Sequence, residues 1–155
     1  MGFSLGETLC VFGLLGALTS LALGGVPAIL AQVTQTEALQ LSSSGRLYWM
    51  ERWANDGRAV TATAPDYVYD SEGKYSQVMP DDAGDGTVTV LFKDTNPLLE
   101  DEALTIRPAF SDRVAPWSIA WICGAAEPPP GFTAVGDDRT TLPNARLVSG
   151  CRKRP

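Results

Sequence analysis

A long uncharged stretch near the N-terminus constrains this chain more than any other feature. From Thr8 to Thr36 there is no Asp, Glu, Lys or Arg, and nearly all of the charge lies beyond Glu37. As an α-helix, the segment from Leu9 to Leu30 would rise about 33 Å, enough to cross the hydrocarbon core of a bilayer. The sequence therefore predicts an apolar N-terminal helix joined to a polar domain, for which 155 residues are sufficient.

Charge and residue content argue against several classes of function. The net charge of −6 disfavours nucleic acid as the main ligand, because phosphate binding needs a basic face. The one basic cluster, Arg152 to Arg154, is typical of a solvated chain end. The chain contains no histidine, which removes the commonest general base and the commonest metal ligand. We expect neither a catalytic residue set nor a cofactor.

The apolar segment by itself leaves three interpretations open. A cleavable signal peptide is supported by Ser20-Leu21-Ala22, which fits a small-x-small cleavage site. However, signal peptides usually carry positive charge ahead of the apolar core, and here the only ionisable side chain in that position is Glu7. A signal anchor leaves Glu7 unexplained, because a carboxylate at the end of a membrane helix is costly without a partner. The third interpretation depends on residues 2–7, which read Gly-Phe-Ser-Leu-Gly-Glu.

These opening residues resemble the processing site of type IV prepilins, in which a membrane peptidase cuts after a glycine. The new N-terminal residue, typically phenylalanine, is N-methylated, and a glutamate four residues further on is retained. The resemblance implies cleavage between Gly2 and Phe3, with Glu7 neutralising the Phe3 ammonium group of a neighbouring subunit and so fixing subunit register. The chain departs from the family in its two-residue leader and in Gly6, where a large aliphatic residue is usual.

The apolar helix is predicted to continue beyond the uncharged stretch, as it does in pilins. Between residues 32 and 54 apolar side chains fall on two opposite faces: Ala38, Trp49 and Trp53 on one, and Val33, Leu41, Leu47, Tyr48 and Ala54 on the other. One face is expected to meet the subunit's own sheet and the other its neighbours. Gly57 is the expected C-terminal cap, and Gly24, Gly25 and Pro27 mark an expected weak point of the helix.

Strand patterns follow a loop-rich region over residues 58–86. Residues 87–92, residues 104–107 ahead of Pro108, and residues 117–123 are rich in β-formers or alternate. They predict an α+β fold in which the long helix packs on a 3-4-stranded antiparallel sheet. The acidic run from Asp81 to Gly86 lacks the spacing and the closing glutamate of an EF-hand, which favours a tight turn.

The resemblance to pilins also implies a disulfide between Cys123 and Cys151 that closes a C-terminal loop. By the chain-entropy relation such a bond stabilises the fold by about 3 kcal/mol. Cys10, in the apolar helix, is expected to remain a free thiol.

The resemblance implies a structural filament subunit with a leader at 1–2, an apolar helix at 3–31 and a globular head at 32–155. Expected partners are copies of itself or other pilins, a prepilin peptidase, the pilus assembly machinery and, before assembly, the bacterial inner membrane. Residues 58–86 and 124–150 would carry surface contacts such as adhesion. The alternatives are a minor pilin, a secretion-system pseudopilin, or a membrane-anchored extracytoplasmic binding domain that never polymerises.

Overall fold

The structure, a computed structural model, describes residues 4–56, 72–79, 84–94, 98–111 and 118–154. In chain order their elements are helix α1 (Leu5–Asp56), strands β1 (Ser76–Met79), β2 (Val88–Phe92), β3 (Ala103–Ser111), β4 (Ile119–Cys123) and β5 (Phe132–Ala134), and a 3₁₀ turn at Ser149–Cys151. One long N-terminal helix on an antiparallel sheet confirms the predicted α+β class.

Helix α1 is a single helix of 52 residues, which corresponds to a rod about 78 Å long. It continues through Gly24, Gly25 and Pro27, so the expected weak point is not unwound in this structure. Pro27 still removes one N–H donor and leaves the carbonyl one turn earlier without its helical partner. The helix ends at Asp56, and the predicted cap Gly57 lies outside the described residues.

The sheet is an antiparallel meander in the order β1-β2-β3-β4, with β3 as its longest strand. Strand β5 pairs with residues 109–111 of β3, where β4 also pairs, so β5 lies on the opposite edge of β3. That edge is shared with β2, which pairs with residues 103–106. The central strand therefore has neighbours along almost its whole length.

The strand predicted at residues 104–107 was expected to end ahead of Pro108. That end is wrong, because β3 continues through Pro108 to Ser111. A proline in a central strand normally costs a ladder hydrogen bond. Here β2 has stopped pairing at Ile106 and β5 begins at Ala109, so Pro108 falls in the gap between them. Its carbonyl still accepts a hydrogen bond from Val135 N–H (2.9 Å), which connects β3 to the end of β5.

Two strands, β1 and β5, were not predicted from the sequence patterns. β1 lies within the region predicted as loop, and β5 lies inside the cysteine-closed segment. Each has only three or four residues, too few for alternation to be distinguished from chance. Their pairing with β2 and β3 supplies the hydrogen bonds that the local sequence does not specify.

The core lies between the second half of α1 and the sheet. The helix contributes Ala31, Ala38 and Trp49, all buried, and the sheet contributes Val78, Val88, Val90, Phe92, Leu104 and Ile106. Leu142, Leu147 and Cys151 of the C-terminal segment complete the cluster. The core therefore joins the helix, the sheet and the C-terminus in one unit.

Candidate functional site

The first half of α1 has no covering from the rest of the described chain. Every side chain from Ser4 to Ser20 and from Val26 to Leu30 is exposed. In these two ranges the large apolar side chains are exposed by 44–81%, with Leu5 the most accessible and Leu30 the least. Length and composition make α1 a helix able to cross a membrane, and none of its most apolar 18-residue window is buried.

Glu7 lies in the first turn of this uncovered helix. Its carboxylate accepts a hydrogen bond from Ser4 N–H (3.0 Å), and the Ser4 hydroxyl accepts one from Glu7 N–H (3.3 Å). This reciprocal pair is a capping box, which satisfies two of the N–H groups that a helix start leaves without partners. An acidic side chain at this end also interacts favourably with the helix dipole.

The processing residues Gly2 and Phe3 lie outside the described residues. Glu7 is thus the one residue of the predicted processing and registration set that the structure places. The sequence interpretation missed the capping box that Glu7 forms, although Ser-x-x-Glu ahead of an apolar run is a recognisable signature. Ser4 is the residue that this signature identifies.

The second half of α1 packs one face on the sheet, as predicted. Trp49 stacks on Trp53 at 5.4 Å between ring centroids, and it meets Trp121 of β4 edge-on at 6.4 Å. Trp53 in turn lies 4.7 Å from Phe110 of β3. Both tryptophans therefore contact strand residues of the sheet.

The opposite face of this half remains partly uncovered. Val33 and Leu47 are exposed by 50% and 58%, and Ala54 is exposed too, while Leu41 and Tyr48 are half-buried. The two predicted faces thus have different environments within one subunit. Val33 and Leu47 are thus two separate apolar side chains that the subunit itself leaves exposed.

Gly86 permits the close approach of the Trp49 ring. Its φ is +82°, a conformation that favours glycine, and a Cβ built there would overlap the Trp49 ring. Gly84 also has a positive φ, consistent with the turn predicted for residues 81–86; residues 81–83 lie outside the described part of the chain. Within the described residues, no group of three or more acidic or cysteine side chains is placed to hold a metal ion.

Gln35 connects helix α1 to the C-terminal segment, a contact that the sequence did not predict. It is fully buried, and its side-chain amide donates to the Arg146 carbonyl (2.9 Å) while its carbonyl oxygen accepts from Val148 N–H (2.9 Å). One helix side chain thereby satisfies two backbone groups of the C-terminal segment. No pattern in the sequence distinguished Gln35 from its exposed neighbour Gln32, because burial of a glutamine depends on partners more than a hundred residues away.

The predicted disulfide is present. Cys123 at the end of β4 is bonded to Cys151, with the two Cα atoms 4.5 Å apart. Cys10 is a free, exposed cysteine in the uncovered half of α1. The bond and the Gln35 hydrogen bonds fasten the same segment from two sides, one to the sheet and one to the helix.

The enclosed segment is also fixed by hydrogen bonds to β3. Thr141 N–H donates to the Ala103 carbonyl (3.1 Å), and the Thr140 hydroxyl accepts from Thr105 N–H (3.0 Å). Arg139 N–H donates to the hydroxyl of Thr105, a residue of 0% exposure. The closed loop therefore packs on the head through hydrogen bonds to β3 as well as through the disulfide.

A few charged groups of the head have pKa values displaced from their ordinary ones. The Lys93 ammonium group, 2.7 Å from the Glu72 carboxylate, holds the pKa of Glu72 below its ordinary value through a hydrogen bond and its charge. Burial lowers the pKa of Arg46, whose guanidinium lies 5.9 Å from the centroid of the Trp121 ring. These groups act in the head and not at the uncovered helix.

This arrangement defines a class of protein: a compact, disulfide-closed head on a long helix whose apolar half must be covered by something outside the subunit. The family model described as pilin, a bacterial filament protein, matches residues 31–152, well over half of the chain. The chain therefore belongs to the pilin family, as its resemblance to type IV pilins predicted. No curated protein matches it significantly. The matched range begins where the head first buries α1, at Ala31.

Proposed function

We propose that this pilin is made as a precursor anchored in the inner membrane by α1, with its head outside the cytoplasm. A prepilin peptidase cuts between Gly2 and Phe3, Phe3 is N-methylated, and the subunit is assembled with copies of itself or other pilins into an extracellular type IV pilus. The observation that carries the proposal is the uncovered apolar half of α1, since its side chains need lipid or other helices around them.

Glu7 is proposed to set the register of one subunit against the next. Cleavage creates an ammonium group at Phe3, and Glu7 supplies the opposite charge one turn further along the helix. Within a bundle of apolar helices, water is excluded and an unpaired charge is costly, so the pair is satisfied only at matching depths. The capping box supports this role, because it holds the Glu7 carboxylate at the helix start.

The capping box also favours a second candidate function. Because Glu7 already has a partner within its own chain, a membrane-anchored binding domain that never polymerises would account for the acid as well. In that case Glu7 stabilises the helix start alone, and its side chain is dispensable for anything between subunits. A minor pilin or a secretion-system pseudopilin would share the processing but differ in abundance.

The N-terminus of the protein tests these proposals. Intact mass and peptide mapping are measured on membranes and on filaments sheared from cells. A chain that begins at methylated Phe3 in the sheared fraction supports the filament subunit, and its abundance there separates a major from a minor pilin. A chain that retains Met1 and stays in the membrane would refute filament assembly and leave the anchored domain. A start near Leu23 would indicate an ordinary signal peptide.

A further inference from the structure

A cleft of about 180 Å³ lies where α1 enters the head. One wall is the helix from Ala28 to Gln32, and another is formed by Leu98 and Leu99 of the connection between β2 and β3. The side chains of Arg146 and Arg152, from the C-terminal segment, complete the lining. A strongly basic pair at this one position is unexpected in a chain of net charge −6.

Backbone carbonyl groups hold both guanidinium groups in place. Arg146 donates from its Nη1 to the Leu98 carbonyl (3.2 Å), and Arg152 donates from its Nε to the Leu147 carbonyl. An arginine has five N–H donors, so each retains several for another acceptor. Neither forms an ion pair with a carboxylate among the described residues, whereas Lys93, Arg107 and Lys153 do.

The position of the cleft along α1 sets its depth relative to a membrane. Helix side chains from Val26 to Leu30 are exposed, and Ala31 is the first that the head buries, at 8% exposure. If the 33 Å or so from Leu9 to Leu30 fills the hydrocarbon core, Ala28 lies just inside its edge, and Ala31 and Gln32 lie at the level of the lipid headgroups. A guanidinium group carries a positive charge and can donate two parallel hydrogen bonds to a phosphate, so two of them at that level suit the anionic headgroups of lipids.

We propose that Arg146 and Arg152 form a binding site for the phosphate of an anionic phospholipid, on which the head of the membrane-anchored precursor rests before assembly. The site rests on the proposed membrane-anchored state and adds a specific lipid contact to it. It also offsets the repulsion between an anionic membrane and the acidic turn of Glu100 and Asp101, which directly follows the leucine wall. Extraction of the subunit into a filament breaks the contact, so it belongs to the precursor alone.

The test uses the full chain in detergent, with native mass spectrometry of the lipids it retains from an equal mixture of phosphatidylglycerol and phosphatidylcholine. Arg146→Gln and Arg152→Gln are each expected to lower the preference for phosphatidylglycerol about fivefold, the effect of one cation near an anionic surface. Arg139→Gln removes the same charge from a residue whose backbone bonds to Thr105, away from the cleft, and is expected to change nothing. Arg152→Lys keeps the charge and is expected to retain most of the preference.

Unfolding temperature and disulfide content verify that each variant is folded. A wild-type chain without preference, or a preference that survives both glutamine substitutions, would overturn the proposal. Displacement of phosphatidylglycerol by dissolved inorganic phosphate at equal concentration would identify a free-anion site and would overturn the lipid assignment too. Alkaline extraction of cell membranes distinguishes this failure from failure of the proposed function. If α1 does not anchor the precursor, alkali releases it from the bilayer. If only the lipid site is wrong, the precursor stays in the membrane.

Discussion

The two halves of α1 belong to one continuous helix, yet the first half exposes apolar side chains and the second half buries polar ones. In the first half leucines and a phenylalanine are exposed, as at Leu5 (81%) and Phe12 (67%). In the second half polar side chains are buried completely, as at Gln35 and Ser42. The difference teaches that helix propensity and hydropathy do not by themselves assign an environment: the first half needs an apolar surrounding from outside, and the second obtains its surroundings from its own sheet.

The strongest test of this division is Glu7→Gln, which changes the uncovered half alone. In an assembled filament it would leave the Phe3 ammonium group without its partner, at a cost of about 3–5 kcal/mol per subunit. We therefore expect nearly complete loss of sheared filaments, measured by immunoblot, with the precursor still in the membrane and the unfolding temperature of the head unchanged.

Glu51→Gln is the matched control for this prediction, because Glu51 is an exposed acid in the covered half of the same helix. It should leave the filament yield unaltered. Normal filaments from the Glu7→Gln variant would show that the carboxylate serves only the capping box with Ser4, and would remove the proposed functional difference between the halves.

A second substitution tests how closely the covered half approaches the head. Gly86→Ala places a methyl group against the Trp49 ring at a backbone φ of +82°, so it adds overpacking to left-handed strain. We expect a loss of about 2–4 kcal/mol in the free energy of unfolding, measured by denaturant titration of the full chain in detergent.

Gly131→Ala separates the two contributions. Gly131 has nearly the same φ, +81°, but a Cβ at this position would have no neighbouring atom within 4 Å. Its substitution should therefore cost only the backbone strain, about 1 kcal/mol. Equal losses at the two glycines would mean that the contact of Trp49 with Gly86 contributes nothing to stability.

The buried glutamine provides a third test. Gln35→Ala leaves the Arg146 carbonyl and the Val148 N–H without their partner, and we expect a loss of about 2–3 kcal/mol in the free energy of unfolding. Hydrogen exchange should accelerate at Val148 while the exchange of β2 and β3 amides changes less. Gln40→Ala, at an exposed position of the same helix, should be neutral, and similar effects of the two substitutions would contradict the proposed fastening.

The smallest expected effect is electrostatic and confined to the head. Because Lys93 depresses the pKa of Glu72, the ion pair stabilises the fold at neutral pH, and the contribution disappears as pH falls through the depressed pKa. Lys93→Gln should return the Glu72 pKa towards its ordinary value, as followed by NMR titration. Membrane anchoring and filament yield should stay unchanged. A change in either would contradict the prediction, because it would show that the surface charge of the head affects the function of the uncovered helix.

The sequence predicted the class of fold and most of its large elements because their signals are local. An uncharged stretch longer than a bilayer is thick, alternation in residues 87–92 and 117–123, and a tryptophan pair four residues apart each identify an element without knowledge of its neighbours. The error at Pro108 and the missed strands β1 and β5 have the opposite origin. In those places the hydrogen bonds come from partners distant in sequence, and a local pattern contains no information about them.

For the site, the sequence by itself determined that an apolar helix begins beside an acid at Glu7, and the resemblance to pilins supplied the pairing of Cys123 with Cys151. Only the tertiary structure decided that the Trp49 face is the covered one, that Gln35 fastens the C-terminal segment, and that Arg146 and Arg152 lie where α1 enters the head. The physical reason is that burial and hydrogen bonding of a polar side chain depend on which groups surround it in space. Hydropathy along a helix shows that a face must be covered, but only the folded chain shows what covers it.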